Sequence, residues 1–277
     1  MPEAKQRSEL PNIQELQDGF PQRTIKKVGI REVKVPLKVL RKDGTINVCS
    51  ANISMYTDLN KNEKGTNMSR YRILIEEHVI GKDLALNEFI TNLLHATKHK
   101  LKQTKAYIKI WFPYYIIQSA PVSKIPSHID IEVALEGKLV DDTVDLFLTV
   151  KAPYTSCCPC SREISRHGAH NQRSTAEITV KLDESKGVLW IEDLYDIVIK
   201  CASAPIINGL KREDEKWQTE LMYEQPHFVE DVVRHLAVAL DKELDKRITD
   251  YVVIVNHEES IHTHNAVAIM NAGRELN

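Results

Sequence analysis

The strongest constraint on the fold is a set of segments in which apolar and polar residues alternate strictly. Between His128 and Leu135, for example, every second residue is apolar, which places Ile129, Ile131 and Val133 on one face of a strand. A strand with one apolar and one polar face is typical of an antiparallel sheet that is covered on one side. The sequence predicts further strands at 28–40, 46–59, 106–117, 143–150, 175–182, 250–257 and 262–270.

Segments with the period of an amphipathic helix lie between these strands. In the first half, helices are predicted from Met68 to Glu77 and from Leu84 to Leu101. In the second half, helical patterns begin at Ile191 and Val229. Each half therefore has the order strand-strand-helix-helix-strand-strand. This order predicts an α+β fold, with helices on one face of an antiparallel sheet.

The repeated order divides the chain of 277 residues into an arm and two modules. Residues 1–24 are polar and are predicted to form an N-terminal arm. Residues 25–138 form the first predicted module, and residues 139–277 form the second, which carries most of the candidate catalytic residues. Within the second module, residues 204–226 are predicted to be a long loop between two helices, and loops of that length are often functional.

The composition excludes several classes of function. The net charge of −2 gives no overall positive field for nucleic acid. No apolar run approaches the roughly 20 residues of a membrane-spanning helix. The polar N-terminus does not resemble a signal peptide, and an odd count of five cysteines argues against a disulfide framework. We therefore expect a cytoplasmic protein with free thiols and no nucleic-acid or membrane partner.

The most informative stretch combines thiols and imidazoles. It contains Cys157, Cys158, Cys160, His167 and His170 within 14 residues. Zn²⁺ prefers thiolate and imidazole ligands, while iron and manganese also accept imidazole and carboxylate. The spacing suits an open three-ligand site better than a closed structural one. Metal ligation is predicted for Cys158 and His170, whereas Cys157 is predicted to be a buried, inert thiol.

An open metal site activates water and needs a neighbouring group that manages protons. The second half offers acids in 204–226, a glutamate in the first turn of a helix and a group of histidines near the C-terminus. These candidates are Glu213, Asp214, Glu215, Glu220, Glu230, His257, His262 and His264. Each also has a simpler explanation. The acids in 204–226 could be solvated surface charges, and a glutamate in the first turn of a helix is favoured by the helix dipole alone. His262 and His264 would share one face of a strand and could both be surface residues.

Several segments, in order along nearly the whole chain, together resemble the type IB GTP cyclohydrolase family. They are Phe20-Pro21-Gln22-Arg23, Lys64-Gly65-Thr66-Asn67-Met68-Ser69-Arg70, Thr155-Ser156-Cys157-Cys158-Pro159-Cys160-Ser161, Gly168-Ala169-His170-Asn171-Gln172-Arg173-Ser174, Leu210-Lys211-Arg212, Asp214-Glu215-Lys216, Phe228-Val229-Glu230-Asp231 and Glu259-Ser260-Ile261-His262. The family usually has histidine where this chain has Asn67, so no role is assigned to that position.

The resemblance implies the tunnelling fold, with two modules per subunit and a homo-oligomer, expected to be a tetramer, whose active sites lie between subunits. It implies a divalent metal, Zn²⁺ or Mn²⁺ or else Fe²⁺, held by Cys158, His170 and Glu215. It matches Glu230 to the carboxylate that anchors the guanine ring, and His262 or His264 to the histidine near that ring. Cys160 lies close to the metal in the family and is included among the catalytic candidates.

The implied reaction adds water at C8 of GTP, releases formate and gives dihydroneopterin triphosphate. The triphosphate needs cations, and the candidates are Lys64, Arg70, Arg173, Lys211 and Arg212. No GxxxxGK[ST] motif is present, which argues against a P-loop GTPase.

Three alternatives remain open from the sequence. One is a nitrile reductase of the same fold, which uses a cysteine nucleophile without metal. Another is an archaeal-type cyclohydrolase with a cyclic phosphate product. The third is a non-catalytic module with a closed structural zinc site.

Overall fold

A computed structural model describes Gln14 and residues 19–244 and 246–272. The predicted arm, residues 1–24, falls mostly outside this part of the chain. The strands are β1 (Ile25–Leu40), β2 (Ile46–Leu59), β3 (Asp83–Leu84), β4 (Lys105–Ser119), β5 (Pro126–Val140), β6 (Thr143–Cys157), β7 (Asn171–Leu182), β8 (Ala204–Pro205), β9 (Ile248–His257) and β10 (Ala266–Asn271). The helices are α1 (Met68–His78), α2 (Leu86–Leu101), α3 (Pro159–Ile164), α4 (Ile191–Cys201), α5 (Arg212–Glu224) and α6 (Val229–Asp241).

The described strands form one ten-stranded sheet in the order β10-β9-β7-β6-β5-β4-β2-β1-β3, with β8 added beside β6. Neighbouring long strands are antiparallel, and only the short β3 runs parallel to its neighbour β1. The two predicted modules are therefore joined edge to edge through β5 and β6. The predicted boundary at residues 138/139 lies inside β5, and the turn between the halves is at Asp141 and Asp142.

One face of this sheet carries the core. Along β4, for example, Ile108, Ile110 and Phe112 are buried, whereas Trp111 between them is exposed. The buried face packs against α1 and α2 in the first half and against α4 and α6 in the second. The predicted α+β architecture, with helices on one face, is therefore confirmed.

Two helices were not predicted, and one strand begins later than expected. The stretch 204–226 contains α5, whose one buried residue is Asp214, so the sequence shows no apolar stripe there. The short α3 has no buried residue, so it also lacks an apolar stripe. The last strand begins at Ala266 rather than 262, because residues 258–265 form a loop.

No helix in the described ranges combines the length and the apolar character that membrane crossing requires. All five cysteines lie in these ranges and are unpaired thiols, as predicted.

Candidate functional site

Cys158 and His170 lie opposite each other where β6 and β7 meet. The ladder between these strands pairs Cys157 with Asn171, and the backbone N–H of Cys158 then donates to the carbonyl of His170 at 3.1 Å. The intervening residues form α3 and a loop. The chain thus leaves the sheet at one candidate ligand and returns at the other, which brings together two residues 12 positions apart in sequence.

Ser161 fixes the segment between Cys158 and His170 through three hydrogen bonds. Its hydroxyl donates to the carbonyl of Cys158 at 3.2 Å and accepts the backbone N–H of His170, also at 3.2 Å. Its own backbone N–H donates to Sγ of Cys158 at 3.4 Å, so the thiol occupies the N-cap position of α3. Cys160 is exposed on the first turn of this helix. Cys157 is buried, and burial raises the pKa of its thiol, in agreement with the predicted inert role.

The imidazole of His170 is held by one of its two nitrogens. Nδ1 lies 3.0 Å from Oε1 of Gln172, and Oε2 of Glu259 is 4.0 Å away from the same nitrogen. Because the amide oxygen of Gln172 can only accept, Nδ1 of His170 is the donor. With Nδ1 donating to Gln172, Nε2 is the nitrogen of His170 that would be available to a metal.

The start of α6 lies beside the same strand end. The backbone N–H of His227 donates to the carbonyl of Cys157 at 3.2 Å, and Glu230 follows in the first, exposed turn of the helix. Below this turn, Nε2 of the buried His257 lies 2.9 Å from the hydroxyl of Tyr154. Burial lowers the pKa of His257 to about 4, and the negative charge of Glu230 opposes that shift only in part. Burial thus favours a neutral imidazole at His257, and the charge of Glu230 acts on it electrostatically.

His262 and His264 lie in the loop between β9 and β10. They are exposed, and their rings stack with centroids 5.0 Å apart and planes inclined by 11°. The sequence predicted that they share a face because they lie on a strand. The rings are indeed adjacent, but loop geometry and ring stacking bring them together.

The start of α5 is fixed by Asp214. This buried carboxylate accepts the backbone N–H groups of Val122 and Ser123, at 2.8 and 3.0 Å, and that of Lys211 at 3.0 Å. Burial alone would raise the pKa of Asp214, but these hydrogen bonds and that of the Ser123 hydroxyl hold it far below its usual range. The neighbouring Glu215 is exposed, as are Lys211 and Arg212.

The five candidate cations do not share one site within the chain. Arg173, Lys211 and Arg212 lie at the same end of the sheet as Cys158, on β7 and at the start of α5. Lys64 and Arg70 follow β2, which ends at the opposite end of the antiparallel sheet. Since each residue of a strand spans about 3.3 Å, roughly 40 Å of sheet separates these two cations from Cys158.

Comparison with known proteins establishes the family. Residues 10–268 match the family model described as type I GTP cyclohydrolase folE2. The chain is 43% identical over 249 residues to the GTP cyclohydrolase FolE2 of Dictyoglomus turgidum, covering 90% of this chain and 93% of the relative. It is 40% identical over 266 residues to the GTP cyclohydrolase FolE2 of Desulfosudis oleivorans, covering 96% of this chain and 99% of the relative.

The chain belongs to the FolE2 family.

Two solved structures of similar shape support the same architecture for this FolE2 member. A uricase from Arthrobacter globiformis superposes with a TM-score of 0.56 at 6% sequence identity, covering 91% of this chain and 94% of that one. A urate oxidase variant from Bacillus sp. TB-90 superposes with a TM-score of 0.57 at 8% sequence identity, covering 89% of this chain and 98% of that one. At such low identity the likeness concerns the fold alone, which is the tunnelling fold that the sequence predicted.

The donor set of this FolE2 chain fits a metal in part. A thiol and an imidazole with its Nε2 lone pair free are the ligands that Zn²⁺ prefers. Within the residues that the structure describes, however, no three His, Cys, Asp or Glu side chains are grouped closely enough to hold an ion. Glu215 therefore does not complete a three-ligand site with Cys158 and His170 in this arrangement, and its role as the third ligand stays a prediction.

Three residues of the site were not singled out by sequence reasoning. Gln172 orients His170, Glu259 lies close to the same ring, and His257 was noted only as part of a histidine group. Gln172 could have been found, because it occupies an inward position of an alternating strand whose other inward residues are small or apolar. A polar residue at such a position needs a buried hydrogen-bond partner.

Proposed function

We propose that the protein is a metal-dependent GTP cyclohydrolase of type IB. It would convert GTP and water to 7,8-dihydroneopterin 3′-triphosphate and formate, the first step of tetrahydrofolate and pterin biosynthesis. The observation that carries this proposal is the family match over residues 10–268. The clustering of Cys158, His170 and the start of α6 at one end of the sheet supports it.

Cys158, His170 and Glu215 are the proposed ligands of a divalent metal, Zn²⁺, Mn²⁺ or Fe²⁺. The exposed position of Glu215 in the first turn of α5 leaves its side chain free to turn toward an ion. A metal bound there supplies Lewis acidity that makes a nucleophilic water available near neutral pH. The protein contributes the thiolate, the correctly oriented imidazole and the carboxylate.

The remaining site residues are assigned to the substrate. The carboxylate of Glu230 can accept two hydrogen bonds from the N1–H and 2-amino group of guanine. His262 and His264 are proposed to move protons during ring opening, because they are exposed and adjacent. Cys160 is exposed in the first turn of α3, two residues after Cys158, and is kept as a further catalytic candidate.

A homotetramer with active sites between subunits would complete the triphosphate site. Arg173, Lys211 and Arg212 come from the chain that holds Cys158, whereas Lys64 and Arg70 would come from a second copy. The edge strand β10 favours such pairing, because 55% of Val267 and 65% of Ile269 is exposed. Edge strands with exposed apolar residues readily pair with another chain.

A cytoplasmic location is part of the proposal. Its support is that Cys49, Cys157, Cys158, Cys160 and Cys201 are all unpaired thiols, which suits a reducing compartment.

The deciding experiment is incubation of the purified protein with GTP, with and without a chelator and added Zn²⁺, Mn²⁺ or Fe²⁺. Formate release and pterin fluorescence after oxidation are followed together. Metal-dependent formate with a neopterin product is the expected result. Formate without neopterin would indicate a cyclic phosphate product, and absence of formate with every metal would refute the cyclohydrolase assignment.

A variant ties the activity to the site. Cys158→Ala should lose bound metal and turnover together, which metal analysis of the purified protein and the formate assay can measure. Cys49→Ala is the matched control, because Cys49 is a half-buried thiol on β2 whose pKa burial raises to about 11. Full activity of Cys158→Ala after chelation would refute the metal site.

A further inference from the structure

A cavity of about 400 Å³ lies where the two halves of the chain meet, and we call it the junction cavity. The first half contributes the end of β1 and the first turns of α2, and the second half contributes residues 187–192, which include the start of α4. The described residues that line it include none of the candidate catalytic, metal-binding or phosphate-binding residues. Cavities of roughly 300–1,000 Å³ are typical of small-molecule sites.

Most of the wall of the junction cavity is apolar. Its apolar side chains come from both halves and are Leu40, Leu86, Val188, Leu189, Trp190 and Ile191. An aromatic ring in such a wall can pack against an apolar molecule and can also attract a cation over its face. Glu88 and Val188 are exposed, so a solute can reach the cavity from solvent. The wall therefore suits a ligand with an apolar body.

The charged side chains of the junction cavity are both acidic. Glu88 and Glu192 line it, and no lysine, arginine or histidine of the described chain does. Within the same part of the chain, neither carboxylate forms an ion pair. The cavity thus carries two negative charges that no side chain neutralises by direct contact.

Glu192 is held at the cavity by residues of the first half. Its Oε1 accepts the hydroxyl of Tyr114 at 2.5 Å and the backbone N–H of Lys42 at 3.2 Å. Its Oε2 is buried and has no hydrogen-bond partner among the residues that the structure describes. Removing a carboxylate oxygen from water without a partner is costly. A positive charge in the cavity would offset this cost through its Coulomb interaction with the carboxylate, without a direct contact.

Two cations that follow β1 or end it are engaged elsewhere. The ammonium of Lys42 pairs with Asp193, and the guanidinium of Arg41 donates to the carbonyl of Tyr115. Neither forms an ion pair with Glu192. The negative charge at the cavity is therefore left for a ligand to balance.

The first turns of α2 and α4 also contribute charge. Each helix N-terminus is equivalent to roughly half a positive charge, which by itself would favour an anion. Glu88 and Glu192 lie in these same first turns and carry one full negative charge each. The two carboxylates outweigh the two helix ends and leave about one negative charge at the cavity.

We propose that the junction cavity binds a small organic cation, an amine with an apolar body. The apolar body would pack against Trp190 and the aliphatic side chains, and the charges of Glu88 and Glu192 would stabilise the ammonium group. This inference does not rest on the proposed function, because the cavity shares no residue with the candidate active site. A ligand that binds the folded chain alone also raises its Tm.

Three probes of similar shape and different charge test the proposal. They are the cation 2-phenylethylammonium, the neutral 2-phenylethanol and the anion phenylacetate. Their Kd values for the full chain are measured by saturation-transfer NMR, and Tm is measured with each probe. We expect 2-phenylethylammonium to bind with a Kd roughly tenfold lower than that of 2-phenylethanol. Phenylacetate should bind more weakly than either.

Two variants locate the binding at the junction cavity. Glu192→Gln keeps an oxygen that accepts from Tyr114 and Lys42 but removes the charge, so it should lose most of the preference for the cation and retain binding of 2-phenylethanol. Val188→Arg places a positive charge at an exposed position of the wall and should abolish binding of the cation without a large fall in Tm. It tests the site even if Glu192→Gln does not fold.

The matched control is Glu213→Gln, since Glu213 is also an exposed glutamate in the first turn of a helix but lies outside the cavity. This variant should keep the wild-type preference for the cation. Equal Kd values for the three probes, or absence of saturable binding of 2-phenylethylammonium to the wild type, would overturn the proposal. An unchanged preference in Val188→Arg would also overturn it, because the cation would then bind elsewhere.

Discussion

At the scale of single residues, Glu230 is proposed to bind the substrate and not the metal, and its exposed position allows a direct test of this role. Its side chain is exposed in the first turn of α6, so Glu230→Gln leaves the core intact. Because hydrogen bonds to a charged group contribute about 1.5–3 kcal/mol, we expect GTP binding to weaken by roughly 10–100-fold with no change in bound metal. Isothermal titration and metal analysis measure the two quantities.

The control for Glu230 is its neighbour. Asp231 accepts the backbone N–H of Phe228 at 3.0 Å and thereby caps the helix, so Asp231→Asn should affect stability more than GTP affinity. If Glu230→Gln lost metal but kept its affinity for GTP, the roles assigned to Glu215 and Glu230 would have to be exchanged.

The buried His257 predicts a pH dependence of stability. Burial lowers its pKa to about 4 in the folded protein, whereas an unfolded histidine titrates near 6.5. Between these values the unfolded chain binds a proton that the folded chain rejects, so stability falls as the pH drops from about 6.5 to 4, by on the order of 3 kcal/mol. Above that window the full stability is present.

His257→Gln should flatten this dependence, because glutamine offers Tyr154 an acceptor without titrating. Urea unfolding midpoints between about pH 4.5 and 7.5 would measure it. A residual slope from His227 is expected, since burial lowers the pKa of that imidazole too. The exposed His99 provides the control His99→Gln, which should keep the wild-type slope. An equal slope in His257→Gln and in the wild type would contradict the assignment.

At the scale of elements, α5 depends on Asp214 for its position. Asp214→Ala would leave the backbone N–H groups of Val122, Ser123 and Lys211 without their acceptor. Because α5 carries Glu215, we expect a lower Tm together with a roughly 10–100-fold fall in kcat/KM, the size of effect that small misplacements of catalytic groups produce. The exposed Glu213 supplies the control Glu213→Gln. A lower Tm with unchanged kcat/KM would show that α5 does not position the site.

The same helix shows where sequence reasoning ends. Strands were predicted well because one face is buried along their whole length, as in β2, whose predicted range 46–59 is the observed one. Helix α5 was missed because its single buried side chain is a charged one, Asp214, which no apolar period reveals. Local pattern also cannot show that Tyr154 and His257 meet, since their contact depends on the register of β6, β7 and β9, which are distant in sequence.

At the scale of the whole molecule, the two halves act as one body. They share one sheet through β5 and β6. On the helical side, Lys42 of the β1–β2 turn pairs with Asp193 of α4, and this carboxylate also binds Arg247 at 2.6 Å. The side-chain hydrogen bond from Lys42 contributes to a lowered pKa of Asp193, which burial alone would raise. Because the two halves share one sheet, Lys64 and Cys158 of one chain lie at its opposite ends, and the proposed substrate site that uses both would need a second copy.

Subunit complementation tests this requirement. The double variant Lys64→Ala/Arg70→Ala and the variant Cys158→Ala should each have little activity as pure proteins. When they are unfolded together and refolded as a mixture, sites that combine Cys158 of one copy with Lys64 and Arg70 of another become complete, and random pairing would restore about a quarter of the wild-type rate of formate release. A mixture of Cys158→Ala with His170→Ala should stay inactive, because these two residues meet within one chain. If neither mixture recovers activity although oligomers form, no second copy supplies Lys64 and Arg70 to the site. The phosphate-binding cations would then all come from the same copy as Cys158, and Lys64 and Arg70 would not be among them.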